Sequence, residues 1–313
     1  MPKPRTVSEA RHLTRWLITC AWLACAGSAH ALNVFACEPE WASLVKALAP
    51  QAQVVSATHQ RQDPHHIEAR PSLIAALRRA DLAVCTGAEL EAGWLPVLQQ
   101  RAGNPKVLDR AGGMFFASDH VALIDARAPG GPFDGDVHAA GNPHFQVDPD
   151  RVLEVARGLA ETLAQVDPTG AGAYHQRAQA FERDWLAHVQ RWRAQTSPLR
   201  GQRVIAQHSS FAYLWRWLGM AQTADLEPKP GLPPTPGHLN AVLKVAQRER
   251  PMAVVATRYQ DARSARWLAA QLGNEAMAIA LPTTVDDAQD PQGLVRLFDD
   301  LFKQLLNANG GTR

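Results

Sequence analysis

Two series of short apolar runs alternate with helical patterns along this chain, and one long pattern of helical period separates them. That alternation is the strongest constraint on the fold. In the first series, residues 32–36, 54–57, 81–85 and 106–108 read as strands. Between them Trp41, Leu44, Val45 and Leu48 recur at i, i+3, i+4, i+7, the signature of one apolar helix face. Pro71 opens a second helix with Leu73, Ile74 and Leu77 inward, and 89–99 reads as a third with Trp94 and Leu95 buried. Residues 112–141 are irregular and carry Pro129-Gly130-Gly131-Pro132, which predicts a long mobile surface loop. Asp148 then caps a helix that has Pro149 at its first position.

The separating pattern follows Asp167-Pro168. Tyr174, Ala178, Phe181, Trp185, Val189 and Trp192 fall three or four residues apart. About five turns at roughly 1.5 Å per residue give a rod nearly 30 Å long. Ser197-Pro198 ends it. The second series repeats the first in kind, with strands at 203–207, 223–226, 253–257 and 276–281 and a last helix from Asp290-Pro291 carrying Leu294, Leu297, Phe298, Leu301, Phe302 and Leu305 inward. The expected fold is α/β: two lobes, each with a central mostly parallel sheet flanked by helices, joined by one long rigid backbone helix. The expected divisions are 32–168 for the first lobe, 169–197 for the linking helix and 198–313 for the second.

Residues 1–31 stand apart. Lys3, Arg5, Arg11 and Arg15 precede an apolar stretch, 16–26, and Ala29-His30-Ala31 is a small-x-small cleavage site. This is the layout of a signal peptide, with a mature start near Leu32 and export from the cytoplasm. Lipid attachment at Cys25 is the rival, and Trp22-Leu23-Ala24 fits it poorly. Without the leader the formal charge of +2 falls to about −1. No basic tract survives that argues for nucleic acid. Cys37 and Cys85 remain, each at the end of a predicted strand, and in an exported chain are expected to pair as a disulfide. Two buried free thiols are the alternative, and a metal site built on the two thiolates needs no invoking, since histidines are plentiful.

Three histidines occupy strand-to-helix settings: His65 in Asp63-Pro64-His65-His66, His144 in Asn142-Pro143-His144-Phe145, and His208 in Gln207-His208-Ser209. Strand ends of a parallel sheet share one edge, so the three can meet in a cleft between lobes. Neutral imidazole is the commonest protein ligand for zinc. Taken singly, each of them is more often a turn or capping residue than a ligand.

The motifs around them resemble the periplasmic metal-binding receptors of high-affinity zinc and manganese ABC transporters, the cluster A-I solute-binding proteins. Asp63-Pro64-His65 with Glu68 and Pro71-Ser72 resembles that family's first ligand motif. Gly141-Asn142-Pro143-His144-Phe145 with Asp148-Pro149 resembles its second, and Gln207-His208-Ser209-Ser210-Phe211 its third. Gly87-Ala88-Glu89-Leu90-Glu91 with Trp94 is similar to a segment without ligands. The resemblance covers nearly all of 32–308. It implies that His65, His144 and His208 bind the metal and that the long helix is a spine.

One position departs from the family. An Asp or Glu usually follows the last strand of the second lobe, and here the register falls near Thr283, with Asp286 and Asp287 three or four residues late. The fourth place is open to His138, to Asp286 or Asp287, or to water, and His138 is favoured because it lies only six residues before His144. Glu68 is expected to orient a ligand imidazole or cap a turn. His59 and His120 are weak metal recruiters at most, His66 is expected to point away from the ligands, and His175, His188 and His238 to be helix-surface residues. Imidazole-rich ligation favours Zn²⁺ over Mn²⁺.

The implied function is capture of Zn²⁺ in the cleft, as a monomer, and delivery to a membrane ABC permease, with a periplasmic metallochaperone as a further candidate partner. A receptor for Mn²⁺ or for a metal chelate such as a siderophore is the alternative. A zinc hydrolase is less well supported: His-Glu-x-x-His is absent from the sequence, and no general base stands beside the ligands.

Overall fold

The computed structural model describes residues 31–126, 136, 138–273 and 276–311. The expected leader falls outside them but for Ala31, as does the middle of the irregular tract. Among the described residues, eight strands form two four-stranded sheets. The first contains β1 (Asn33–Ala36), β2 (Gln53–Ser56), β3 (Leu82–Cys85) and β4 (Met114–Phe116) in the order β2-β1-β3-β4. The second contains β5 (Arg203–Ala206), β6 (Ala221–Asp225), β7 (Ala253–Thr257) and β8 (Met277–Leu281) in the order β6-β5-β7-β8. Every pairing is parallel. Strands such as Leu-Ala-Val-Cys in β3 are buried throughout, as helices on both faces require. In each sheet the first strand lies between the second and third. Connections therefore leave it in opposite directions and open a crevice at the carboxyl edge.

The helices are α1 (Pro39–Leu48), α2 (Pro71–Arg79), α3 (Leu95–Ala102), α4 (Pro149–Val166), α5 (Ala171–Gln195), α6 (Ala212–Leu218), α7 (Pro236–Glu249), α8 (Arg263–Gln271) and α9 (Gly293–Gly311). The Asp148 side chain accepts from the backbone N–H of Asp150 and Arg151 and so caps α4, an interaction worth about 1 kcal/mol. The long helix α5 has 25 residues and buries Tyr174, Trp185, Val189 and Trp192.

One apolar core runs beneath both sheets. It joins Val34 and Trp41 from the first half to Trp185 and Trp192 on α5 and to Phe211, Leu214, Phe298 and Phe302 from the second. The Trp185 and Trp192 rings lie 5.6 and 5.2 Å from that of Phe298. Two smaller cores fill the outer faces, around Leu77 and Leu98 in one half and Val254 and Leu268 in the other.

Two predicted elements are corrected. Residues 106–108 are not a strand: Pro105–Val107 is a short 3-10 turn, and the edge strand is Met114–Phe116. Val107 is buried, so its apolar signal was real, but its carbonyl is taken by Gln99 Nε2. Gly113 brings the chain back, and a Cβ there would lie 2.5 Å from the Asp81 carbonyl oxygen. The third helix begins at Leu95 rather than near 89. Gly87, Ala88 and Glu89 all have positive φ, a run no helix contains. The irregular tract is also less bare than expected, holding β4 and a 3-10 turn at Ala117–His120. Cys37 and Cys85 form a disulfide at the carboxyl ends of β1 and β3, with Cα atoms 4.8 Å apart.

Candidate metal centre

His65 sits in the loop between β2 and α2. Trp94 Nε1 donates to the Pro64 carbonyl at 2.9 Å, and Gly93 packs so closely that a Cβ would meet the His65 carbonyl at 3.2 Å. The turn before α3 thus props the loop from beneath. Asp63 Oδ1 accepts from the His65 backbone N–H at 3.0 Å and lies 2.7 Å from its Nδ1. Burial acts to raise the Asp63 carboxyl, but the His65 hydrogen bond and charge outweigh it and hold the group below its ordinary range. An ionised carboxylate only accepts, so Nδ1 donates and the Nε2 lone pair is left free.

His144 precedes α4. Its backbone N–H donates to Asn142 Oδ1 at 2.9 Å, while Asn142 Nδ2 donates to the Ser209 carbonyl at 3.0 Å. Tyr213 ties the same segments together by donating to the Asn142 carbonyl at 2.7 Å and accepting from the Ile124 N–H at 3.0 Å. His208 follows β5 with φ +68, a left-handed backbone that costs a β-carbon residue of order 1–3 kcal/mol. Asp225 Oδ1, at the end of β6, holds that conformation by accepting the His208 N–H at 3.0 Å. Glu227 Oε2 lies 3.0 Å from His208 Nδ1.

The three imidazoles meet. Donor atoms of His65, His144 and His208 lie within 4.8 Å of one another, and all three residues are buried. His144 Nε2 is 3.2 Å from His208 Nε2. His138 comes in from the irregular tract, with its Nε2 3.3 Å from His65 Nε2. Two nitrogens each bound at about 2.0–2.1 Å to a tetrahedral ion would stand roughly 3.3–3.4 Å apart. Both contacts fall close to that edge length. The His138 ring is farther from His144, at 6.4 Å between centroids. Its strand of chain is held by Ala139 N–H donating to Glu89 Oε2 at 2.6 Å and by Asp136 N–H donating to the Pro230 carbonyl at 3.0 Å.

Electrostatics favour neutral rings at His144 and His138. Burial, reinforced by the charges of His208, His65 and His138, pushes His144 well below the usual histidine range. Burial, with His65 and His208, takes His138 down to about 4. At His208 burial pulls the same way, but the Glu227 hydrogen bond and charge, with Asp225, leave the group raised.

Other expectations fare differently. Asp286 is exposed and pairs with Arg258 at 3.3 Å, and Asp287 caps the Gln289 N–H at 2.8 Å, so both aspartates face a separate surface cavity with Arg296. Thr283 is buried, and its carbonyl accepts from Gln146 Nε2. Glu68 is exposed, and the carboxylates that orient the rings are Asp63 and Glu227. Glu227 was missed because it lies between the expected strand at 223–226 and the Pro-rich tract at 229–236. Its signal was an acid two residues past the strand beside β5. His120 stacks on Phe115 at 4.7 Å, and His66 is exposed near Asp136. His238 is half-buried rather than a surface residue, its Nε2 2.9 Å from the Asp225 carbonyl.

The profile of ZnuA, the periplasmic zinc-uptake complex component A, matches residues 34–308. The chain belongs to this family. A high-affinity zinc uptake system protein ZnuA of Paracoccus denitrificans (strain Pd 1222) is 25% identical over 213 residues, 58% of this chain. The chain spans 61% of the length of that curated relative. A crystal structure of ZnuA superposes with a TM-score of 0.74 at 21% identity, covering 90% of this chain and 100% of that one. The solute-binding protein FpvC of Pseudomonas aeruginosa, in complex with Mn²⁺, gives 0.74 at 18% identity over 90% and 98%. A mutant of the laminin-binding adhesin Lmb of Streptococcus agalactiae gives 0.70 at 22% over 90% and 100%. These likenesses establish the two-lobed fold for this ZnuA-family chain.

Proposed function

We propose that this chain is a periplasmic solute-binding protein that captures Zn²⁺ on His65, His144 and His208, with His138 closing the fourth position, and passes it to a membrane ABC permease for import. The observation that carries this reading is the convergence of buried imidazole nitrogens within 4.8 Å of one another. Membership of a zinc-uptake family supports it. The ion is cargo, and the reading is of a receptor, not an enzyme. Asp63 and Glu227 hold the outer nitrogens of their rings, so neither is offered as a base to a bound water.

Zn²⁺ is preferred over Mn²⁺ as cargo because the donor set is imidazole, whereas Mn²⁺ favours oxygen. Rings that are buried and touch one another suit a bare ion better than a siderophore chelate. The lobes are taken as 32–168 and 198–313 with 169–197 between them, and export depends on the leader at 1–31. The working unit is a monomer, and a periplasmic metallochaperone is a candidate donor of the ion. Calorimetry on the mature protein tests the core of this. One Zn²⁺ per chain is expected, with His208→Ala weakening binding by at least a hundredfold. Unchanged affinity in that variant would remove the site.

A further inference from the structure

The turn at residues 87–94 supplies no ligand to the histidine cluster, yet it grips the loops that carry two of them. At one end, Trp94 Nε1 holds the Pro64 carbonyl and Gly93 lies against the His65 carbonyl. At the other, Glu89 Oε2 accepts the Ala139 N–H at 2.6 Å, one residue beyond His138. These are the two rings whose Nε2 atoms stand 3.3 Å apart. The backbone is bent to make both contacts. Gly87, Ala88 and Glu89 have φ of +78, +48 and +68, and the two residues with a β-carbon are strained there. The buried Glu91 carboxyl holds the bend: its Oε1 accepts the Thr86 N–H at 2.6 Å and its Oε2 the Gly87 N–H at 3.0 Å. Glycine would take the conformation of residue 89 without strain. The glutamate side chain offsets that cost with its bond to Ala139. His138 is thus bracketed by both halves, since Asp136 N–H on its other side donates to the Pro230 carbonyl at 3.0 Å.

We propose, building on the zinc-receptor reading above, that Glu89 is a positioning residue that keeps His138 in the fourth place of the metal site and so sets the preference for Zn²⁺ over Mn²⁺. Glu89 acts through the backbone of Ala139 and not as a ligand. Without its bond the Ala139 N–H turns to water, and the His138 ring loses its fixed distance from His65. Water then takes the fourth place on the ion. An oxygen donor in place of an imidazole shifts the balance toward Mn²⁺. The same turn fixes His65 through Gly93 and Trp94, so one bent segment sets the spacing of both rings.

The test compares the mature native chain with Glu89→Gly, Glu89→Gln and His138→Ala, and with Glu89→Gly and His138→Ala combined. Glycine relieves the left-handed backbone, so metal-free Glu89→Gly should melt no lower than the native chain. Its Zn²⁺ affinity is nonetheless expected to fall by about tenfold, the size expected for loss of one hydrogen bond to a charged acceptor. Mn²⁺ affinity should change less, and X-ray absorption of the Zn²⁺ form should count one imidazole fewer. Glu89→Gln retains an acceptor oxygen and should restore the native count. In the His138→Ala background Glu89→Gly should cost nothing further, because the ring it positions is already gone. The proposal is overturned if Glu89→Gly binds Zn²⁺ with native affinity and imidazole count, or if it costs as much in the His138→Ala background as in the native chain. If the native chain binds one Zn²⁺ and His208→Ala weakens it, either result leaves the receptor reading standing. A native chain that takes up no Zn²⁺ overturns both.

Discussion

Glu227 holds His208 from behind: its Oε2 lies 3.0 Å from His208 Nδ1 and also accepts the Gly231 N–H at 2.7 Å. The carboxylate therefore fixes the ring and the start of the following loop together. Glu227→Gln keeps the size and can still accept one bond, but it loses the charge that makes His208 a stronger donor to the ion. Zn²⁺ affinity is expected to fall about 10–100-fold with one ion still bound, as measured by competition with a chromophoric chelator. An unaltered constant would mean that the pair only packs.

His208 also sets the pH dependence of binding. Its proton is held to higher pH than usual, whereas His144 and His138 have already lost theirs well below neutrality. On acidification the ion competes first with the proton on His208. The apparent affinity is expected to be flat in mild alkali. It should then fall by about one logarithmic unit per pH unit once the pH drops below the raised His208 value. In Glu227→Gln, where only the charges of Asp225 and Asp136 still oppose burial, the fall should begin at lower pH. Titrations at five or six pH values would separate the two profiles.

His138 touches only part of the cluster, being near His65 but farther from His144. Its loss should cost less than that of a central ligand. His138→Ala is expected to weaken Zn²⁺ binding by about 10–100-fold, against a larger loss for His144→Ala. X-ray absorption of the Zn²⁺ form should count one imidazole fewer in His138→Ala than in the native chain. Equal counts would hand the fourth position to water.

Glu40 joins the two halves, accepting from Thr284 Oγ1 at 2.5 Å. Burial raises its carboxyl to about 7, against an ordinary value of 4.5. The folded chain thus binds a proton there more tightly than the unfolded chain does. Its contribution is fully present below about 4.5 and is lost as pH rises toward 7. Glu40→Gln removes that titration. In urea melts of the metal-free protein the variant should gain on the native chain as pH rises from about 5 to 8, by on the order of 1–3 kcal/mol. A constant difference across that range would place the proton elsewhere.

Much of this was legible from residue order. Parallel strands buried on both faces are short apolar runs, and α5 repeats its large side chains at helical spacing. The three cleft histidines could be picked out because each stands next to a strand end and a proline or helix start. What was hidden depends on atoms far apart in sequence. Asp63 and Glu227 are ordinary loop acids until the fold sets them against Nδ1 of His65 and His208. The strand at Met114–Phe116 is three residues long beside two glycines, too brief for alternation to register. Val107 is apolar for burial and not for pairing, so periodicity alone could not tell it from a strand residue.

If the chain hands on an ion as proposed, the shared core beneath the two sheets constrains how that ion leaves. Swinging the halves apart would expose Trp185, Trp192, Phe298 and Phe302 to water, at roughly 1.5–3 kcal/mol for each large side chain. A permease that forced a wide gape would work against that whole sum. Withdrawing one loop-borne imidazole disturbs only a few hydrogen bonds. Unloading should therefore proceed ligand by ligand at the rim, on a timescale set by loop motion, while the body stays intact.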